Sequence, residues 1–108
     1  MINLSKESTT ERNILRYLNS LPGTKAVKWP QDGRQKGNPD ILCCHYGMTI
    51  MIEVKKEGEE QTLLQETTMA EWVSVGVICM VATELEHVKS LMNTIQEARQ
   101  GLIDDALI

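Results

Sequence analysis

The chain has 108 residues and a mass of 12.2 kDa, enough for one domain over residues 1–108, and its three cysteines form no C-x-x-C pair. This pattern argues against a disulfide framework or a structural zinc site. With no apolar run of about 18 to 20 residues and no signal-peptide core, we expect a cytoplasmic protein without a membrane partner.

The net charge of −4 is unevenly distributed. Residues 1–56 hold nine Lys and Arg against five Asp and Glu, a balance of +4, whereas residues 57–108 hold two against ten, a balance of −8. Because phosphate contacts are made by a local patch rather than by the whole chain, the front half could face a polyanion.

Hydrophobic periodicity divides the chain into three helices and four strands. Apolar residues recur at helical spacing in three segments that each end at a glycine, and shorter apolar segments predict strands. The predicted elements are, in chain order, a helix over residues 8–23, a strand over 24–30, a basic loop over 31–39, strands over 40–45 and 49–55, a helix over 61–75, a strand over 75–83 and a helix over 83–101. The order α-β-β-β-α-β-α predicts an α/β fold with one mixed sheet flanked by helices.

Local signals refine three of these elements. Ser8 and Glu11 have capping-box spacing in the first helix, and Thr83 is the predicted N-cap of the last helix, with Glu86 at the box position. Gly101 is the predicted stop of that helix. The run over residues 75–83 is continuously apolar and rich in β-branched residues, which predicts a strand buried on both faces.

The second and third strands carry three charges that an apolar sheet does not explain. If Tyr46 and Gly47 form a two-residue loop, the numbers of cross-strand partners sum to 93, and Asp40 lies opposite Glu53. Lys55 shares their face by period-2 alternation. Three apolar residues point the other way, into the core: Ile50, Ile52 and Val54. Because tyrosine is a poor first residue for a type I′ turn, a longer loop with a different register is the alternative.

Two opposed carboxylates have two interpretations. Like charges across a strand pair are destabilising, whereas a hard divalent cation with substrate phosphate oxygens would stabilise them. In the alternative, Lys55 neutralises Glu53 in a surface salt bridge, and Asp40 only begins a strand after a proline turn.

These residues resemble a nuclease motif. Pro39-Asp40, followed after twelve residues by Glu53-Val54-Lys55, resembles the PD-(D/E)xK pattern. Four more features resemble the VRR-NUC family, the virus-type replication-repair nuclease domain, in its small stand-alone, phage-like form: Glu11 in the first helix, the loop DGRQKGNPD, Gln65 beginning the next helix, and the step WVSVGV. The resemblance spans about residues 11–88. The acidic connector EGEEQ departs from the Gly-rich, basic connector of the family.

The resemblance implies a restriction-endonuclease-like core and a metal site. Asp40 and Glu53, with the carbonyl of Val54, would bind Mg²⁺ or Mn²⁺ and polarise the scissile phosphate. Lys55 would position the attacking water, help to deprotonate it or stabilise the developing charge. If the chain is phage-encoded, the expected location is the host cytoplasm.

Two further catalytic candidates have structural alternatives. Glu11 resembles the helix acid that binds or orients the metal site from the side, but it could instead close a capping box with Ser8. Gln65 resembles the glutamine that lines the site, but it could be only a polar first-turn residue of an amphipathic helix.

Basic and aromatic residues supply the remaining candidates. Four cations would contact phosphates if the substrate crosses the basic loop, although charged loop residues are usually only solvated; they are Lys28, Arg34, Lys36 and Lys56. Cys43, Cys44 and His45 do not predict zinc because adjacent strand residues point to opposite faces, and we interpret both cysteines as core packing. We interpret Trp29 and Trp72 as core or interface residues rather than base-stacking platforms.

The resemblance implies a metal-dependent endodeoxyribonuclease that hydrolyses phosphodiester bonds by direct water attack. Its expected substrate is branched DNA, such as a Holliday junction, cut by a homodimer in which residues 102–108 and the last helix are candidate interface elements. The alternative is a nuclease-like DNA-binding or assembly module that does not cut. Such a module has no physical reason to keep opposed acids near phosphate, so we favour the nuclease.

Overall fold

The computed structural model describes residues 6–30 and 37–107, and the side chains of residues 8–30 and 37–107. The elements are α1 (Lys6–Ser20), β1 (Thr24–Lys28), β2 (Ile41–His45), β3 (Met48–Val54), α2 (Leu63–Ser74), β4 (Ile78–Ala82) and α3 (Leu85–Ala106). The predicted order and the α/β class are confirmed. None of the helices in these two ranges is long and apolar enough to cross a membrane.

One four-stranded sheet, in the order β1-β2-β3-β4, is formed by the described residues. β1 and β2 are antiparallel, as are β2 and β3, whereas β4 runs parallel to β3. Parallel neighbours cannot be joined by a tight turn, and α2 supplies the crossover between them.

The core lies between one face of the sheet and the two helices α1 and α3. Apolar residues four apart on α1 and on α3 meet alternate residues of the strands, as helical and strand periods require. The main buried residues of this cluster are Ile14, Leu18, Ile41, Cys43, Ile50, Ile52, Val54, Val88 and Met92. Burial raises the pKa of the Cys43 thiol to about 11.

The predicted hairpin register is confirmed. Ile41 pairs with Ile52 and Cys43 with Ile50, so partner numbers sum to 93. Tyr46 and Gly47 have φ of 46° and 82°, as a type I′ turn requires. Tyr46 tolerates this conformation because tertiary contacts hold it: its N–H donates to the Gly23 carbonyl (2.8 Å), and the Arg99 guanidinium lies 3.7 Å from its ring centroid.

The prediction that the strand over residues 75–83 is buried on both faces is wrong. β4 pairs with β3 at an edge of the sheet, and Val81 is 38% exposed. The strand that is covered on both faces is β3, whose residues 50–54 are all buried. An interior strand needs neighbours on both sides, and strand order is not encoded in the hydropathy of one segment.

Three cap predictions and one burial prediction are also wrong. Ser8 lies inside α1, so it cannot be the N-cap that would close a capping box with Glu11.

α3 begins after Glu84 rather than after Thr83. The Thr83 N–H donates to His87 Nδ1 (3.2 Å). Gly101 does not end α3, which continues to Ala106, because a single glycine costs a helix only about 1 kcal/mol. Cys44 is exposed, since it alternates with the buried Cys43.

His45 is a buried polar residue at the turn end of the hairpin. It is 1% exposed, and its Nδ1 lies 2.6 Å from Thr24 Oγ1. Its Nε2 is buried without a hydrogen-bond partner among the described residues. Burial, reinforced by the charge of Arg99, lowers the pKa of His45, so the folded protein holds the imidazole neutral.

We expect the free energy of unfolding to fall as the pH is lowered from about 6.5, because the unfolded chain then binds a proton that the folded His45 resists. The loss levels off below the pKa that His45 has in the folded protein. It amounts to about 1.4 kcal/mol for each pH unit by which folding lowers that pKa. Urea unfolding between pH 8 and pH 5.5 measures it. His45→Gln should flatten this dependence, and an unchanged dependence would assign it to other groups.

Candidate active site

Asp40 lies one residue before β2, beyond the last residue pair of the β2–β3 ladder. Its side chain extends the link between the two segments, because Oδ2 accepts the Val54 N–H (2.7 Å). On its other side the Asp40 carbonyl accepts the Trp29 N–H (2.7 Å), so backbone and side chain are both fixed.

The carboxyl of Asp40 is electrostatically strained. Burial raises its pKa, and the charge of Glu11 raises it further, against the lowering effects of the Val54 N–H, Lys55 and Lys28. The raised pKa means that the folded protein disfavours the ionised form of the Asp40 carboxyl. A bound cation would favour that ionised form.

Glu53 lies on the interior strand and is 3% exposed. Its Oε1 accepts a hydrogen bond from Gln65 Nε2 (2.9 Å) and lies 3.7 Å from Lys55 Nζ. The burial of this acid is therefore offset by one amide donor and one cation. The predicted residues Glu53, Lys55 and Gln65 are brought together, and Asp40 lies just before the neighbouring strand β2.

Lys55 has a second acidic partner that sequence reasoning missed. Its Nζ lies 3.5 Å from Glu59 Oε1, and the lysine side chain is 9% exposed. The Glu59 N–H donates to the Lys56 carbonyl (3.0 Å), in a turn where Gly58 has φ of 81°. The acidic connector therefore folds back onto the site. The four-residue spacing from Lys55 was the available signal, but it has no meaning until the turn is known.

Thr62 is the second residue that the sequence analysis did not find. It is the N-cap of α2 and forms a capping box with Gln65: its Oγ1 accepts the Gln65 N–H (3.1 Å), and its own N–H donates to Gln65 Oε1 (2.9 Å). The pattern T-x-x-Q before a helix is the sequence signature of this box. Gln65 is thus both a cap residue and a neighbour of Glu53.

The remaining candidates lie at the margin. Glu11 Oε1 is 3.4 Å from Lys28 Nζ; the acid is 13% exposed and the lysine 64%. Lys56 is exposed, while Arg34 and Lys36 lie outside the described residues. Trp29 and Trp72 are partly buried and contact each other, with ring centroids 6.1 Å apart.

The described residues contain no group of three or more His, Cys, Asp or Glu side chains that could hold a metal ion. The donors near Asp40 and Glu53 are oxygens, which suit hard cations such as Mg²⁺ and Mn²⁺ rather than zinc. A cation here would need backbone, water or substrate oxygens to complete its coordination.

Comparison with known proteins identifies the family. The family model "Archaeal holliday junction resolvase (hjc)" matches residues 3–77, which include the whole candidate site. The chain belongs to the archaeal Holliday junction resolvase family. Membership in this resolvase family supports a nuclease activity.

Solved structures agree on the fold. A VRR_NUC domain shares 23% identity with a TM-score of 0.73, over 83% of this chain and 97% of that one. A VRR_NUC domain protein shares 16% identity with a TM-score of 0.66, over 86% and 89%. The resemblance to VRR-NUC domains and their fold is confirmed. A comparison with curated protein sequences gives no match.

Asp40→Asn should leave the protein at least as stable as the wild type at pH 7. The raised pKa means that the ionised carboxyl opposes folding above that pKa, and the asparagine carbonyl can still accept the Val54 N–H. Asp40→Ala strands that buried N–H and should be less stable than Asp40→Asn by about 1 to 3 kcal/mol. Urea unfolding of the three proteins tests both; equal stability of the two variants would contradict the bonding role.

Proposed function

We propose that the protein is a metal-dependent endonuclease, a single VRR-NUC-like domain that hydrolyses phosphodiester bonds in branched DNA, including four-way junctions. The observation that carries the proposal is that Asp40 is bonded to Val54, between Glu53 and Lys55, in a member of a Holliday junction resolvase family. The Lys55 ammonium group lies beside the Glu53 carboxylate.

Asp40, Glu53 and the Val54 carbonyl would hold the Mg²⁺ or Mn²⁺ ion. In an antiparallel strand the N–H and C=O of a residue point to the same neighbour, so the Val54 carbonyl faces the Asp40 side. Because Pro39 has no N–H to donate to the Val54 carbonyl, that carbonyl oxygen is suited to bind a cation. A bound divalent ion would polarise the phosphate and acidify a water.

Lys55 would act on the water or on the developing charge. The ammonium group of Lys55 lies between the Glu53 and Glu59 carboxylates, 3.7 and 3.5 Å from them. These two acids keep the lysine charge at the site. Glu11 would assist from α1, where its charge already acts on Asp40. Gln65 would hold the Glu53 carboxylate in place.

DNA would approach over the basic front half of the chain. Lys28 and Lys56 are exposed, and Arg34 and Lys36 belong to the same proposed phosphate-contacting set. Each phosphate contact adds a salt-sensitive term to binding, so these residues would give affinity rather than base specificity.

Cleavage of labelled single-stranded, duplex, flap and four-way-junction DNA tests the proposal. We expect cleavage that requires Mg²⁺ or Mn²⁺, stops with EDTA, favours the junction, and falls by about 10²- to 10⁴-fold in Lys55→Ala and Asp40→Asn. Lys89→Ala, which removes a cation paired with Glu86 on α3, is the matched control and should retain activity. Junction binding without cutting in any metal would favour the non-catalytic module.

We propose further that two copies associate through α3. A groove of about 480 Å³ lies between the turn end of the sheet and α3, lined mainly by Met48, Ile78, Ile95, Leu102 and Ile103. Arg99 also lines it, while the last turn of α3 is acidic, with Asp104 and Asp105 and no basic residue. The acidic, apolar end of one α3 complements the apolar, Arg99-bearing groove of another.

Leu102→Glu should convert a dimer to a monomer and weaken junction cleavage, because it places a charge on the apolar surface of each copy. Val75→Glu is a matched control at the end of α2, since Leu102 and Val75 are 72% and 73% exposed. Sedimentation equilibrium measures the mass. A monomeric wild type, or a dimer unchanged by Leu102→Glu, would rule out this interface.

A further inference from the structure

The start of α2 is joined to the candidate site by a continuous chain of hydrogen bonds. The Thr62 N–H donates to Gln65 Oε1, the Thr62 Oγ1 accepts the Gln65 N–H, and Gln65 Nε2 donates to Glu53 Oε1. The distances are 2.9, 3.1 and 2.9 Å. Two of these bonds hold the Gln65 side-chain amide between a helix cap and a buried acid, and the third holds the Gln65 backbone N–H.

The cap decides which end of the amide faces Glu53. An amide side chain has one acceptor oxygen and one donor nitrogen, and a carboxylate can only accept. Because the Thr62 N–H engages the oxygen, the nitrogen is directed to Glu53. Without the cap, Gln65 could rotate to bond with water or with other backbone groups, and Glu53 would lose a fixed donor.

α2 has little else to hold its first turn in place. None of its residues in the described helix is buried, and Leu63 and Leu64 at its start are 79% and 51% exposed. An element with few buried apolar contacts opens locally at low free energy. The capping box and the Gln65–Glu53 bond are therefore a large part of what orders this end of the helix.

We propose that Thr62 is a positioning residue of the active site, which acts through Gln65 to hold Glu53 in the orientation that binds the divalent cation. This inference rests on the proposed function. Outer residues that orient a metal-ligating side chain typically change metal affinity or activity by about 10- to 100-fold when removed. By linkage, a cation that binds the held form of Glu53 also stabilises the first turn of α2.

The first test needs no metal. Exchange of the Gln65 side-chain amide protons with water, followed by ¹⁵N NMR in the metal-free protein, should be slow in the wild type and in Thr62→Ser. It should be about 10-fold or more faster in Thr62→Ala, because loss of Oγ1 frees the Gln65 backbone N–H and loosens the turn in which the Thr62 backbone N–H reaches Gln65 Oε1. An unchanged Gln65 exchange rate in Thr62→Ala overturns the proposal, whatever happens to metal affinity.

The second test is calorimetric titration with Mn²⁺ alone. We expect affinity to fall about 10-fold in Thr62→Ala, to recover in Thr62→Ser, and to fall no further when Thr62→Ala is added to Gln65→Ala. Additive losses in the double variant would show that Thr62 does not act through Gln65, and would overturn the proposal.

Asn19→Ala is the matched control for stability. The Asn19 amide likewise makes two bonds to one residue, Ala26, at 2.9 Å each, but it joins α1 to β1. It should lower the unfolding midpoint without changing Gln65 exchange or Mn²⁺ affinity. A wild type that binds no Mn²⁺ would defeat the proposed function, while Gln65 exchange would still decide the role of Thr62.

Discussion

The register of the β2–β3 hairpin is the constraint on which the candidate site depends. A slip of one residue would move Glu53 and Lys55 to the opposite face of the sheet. The register is held at both ends: at the turn by Tyr46 and its contacts, and at the open end by the bond from Val54 to Asp40. A residue of the proposed metal site is thus also part of what aligns the two strands.

Burying charged side chains at this site costs folding free energy, and the same side chains are the ones that the proposed reaction uses. Glu53 on β3 and Lys55, one residue past the end of β3, are 3% and 8% exposed, and the other buried residues of β3 are apolar. Each has a partner of opposite charge or an amide donor, yet well-packed apolar residues of similar volume are often no less stabilising than a buried ion pair. Functional sites are where a fold departs from its own local rules, and these residues follow that pattern.

The register of the hairpin, which rests on local interactions, was predicted correctly, whereas the edge position of β4, which depends on distant segments, was not. The hairpin register follows from a two-residue turn and strand alternation, and both are encoded within the hairpin itself. The edge position of β4 depends on strand order, which its own composition does not encode. Gly101 lies inside α3, because a single glycine lowers helix stability by only about 1 kcal/mol and does not by itself end a helix.

By itself, the sequence determined the fold class and the register of the β2–β3 hairpin, because turn chemistry and side-chain alternation act over short distances. The resemblance to VRR-NUC domains added Gln65 and Glu11. Only the tertiary structure decided that Glu59 reaches Lys55, that Glu11 pairs with Lys28 and that Thr62 fixes the amide beside Glu53. These contacts join separate elements or a folded connector, and their geometry exists only once the helices pack on the sheet.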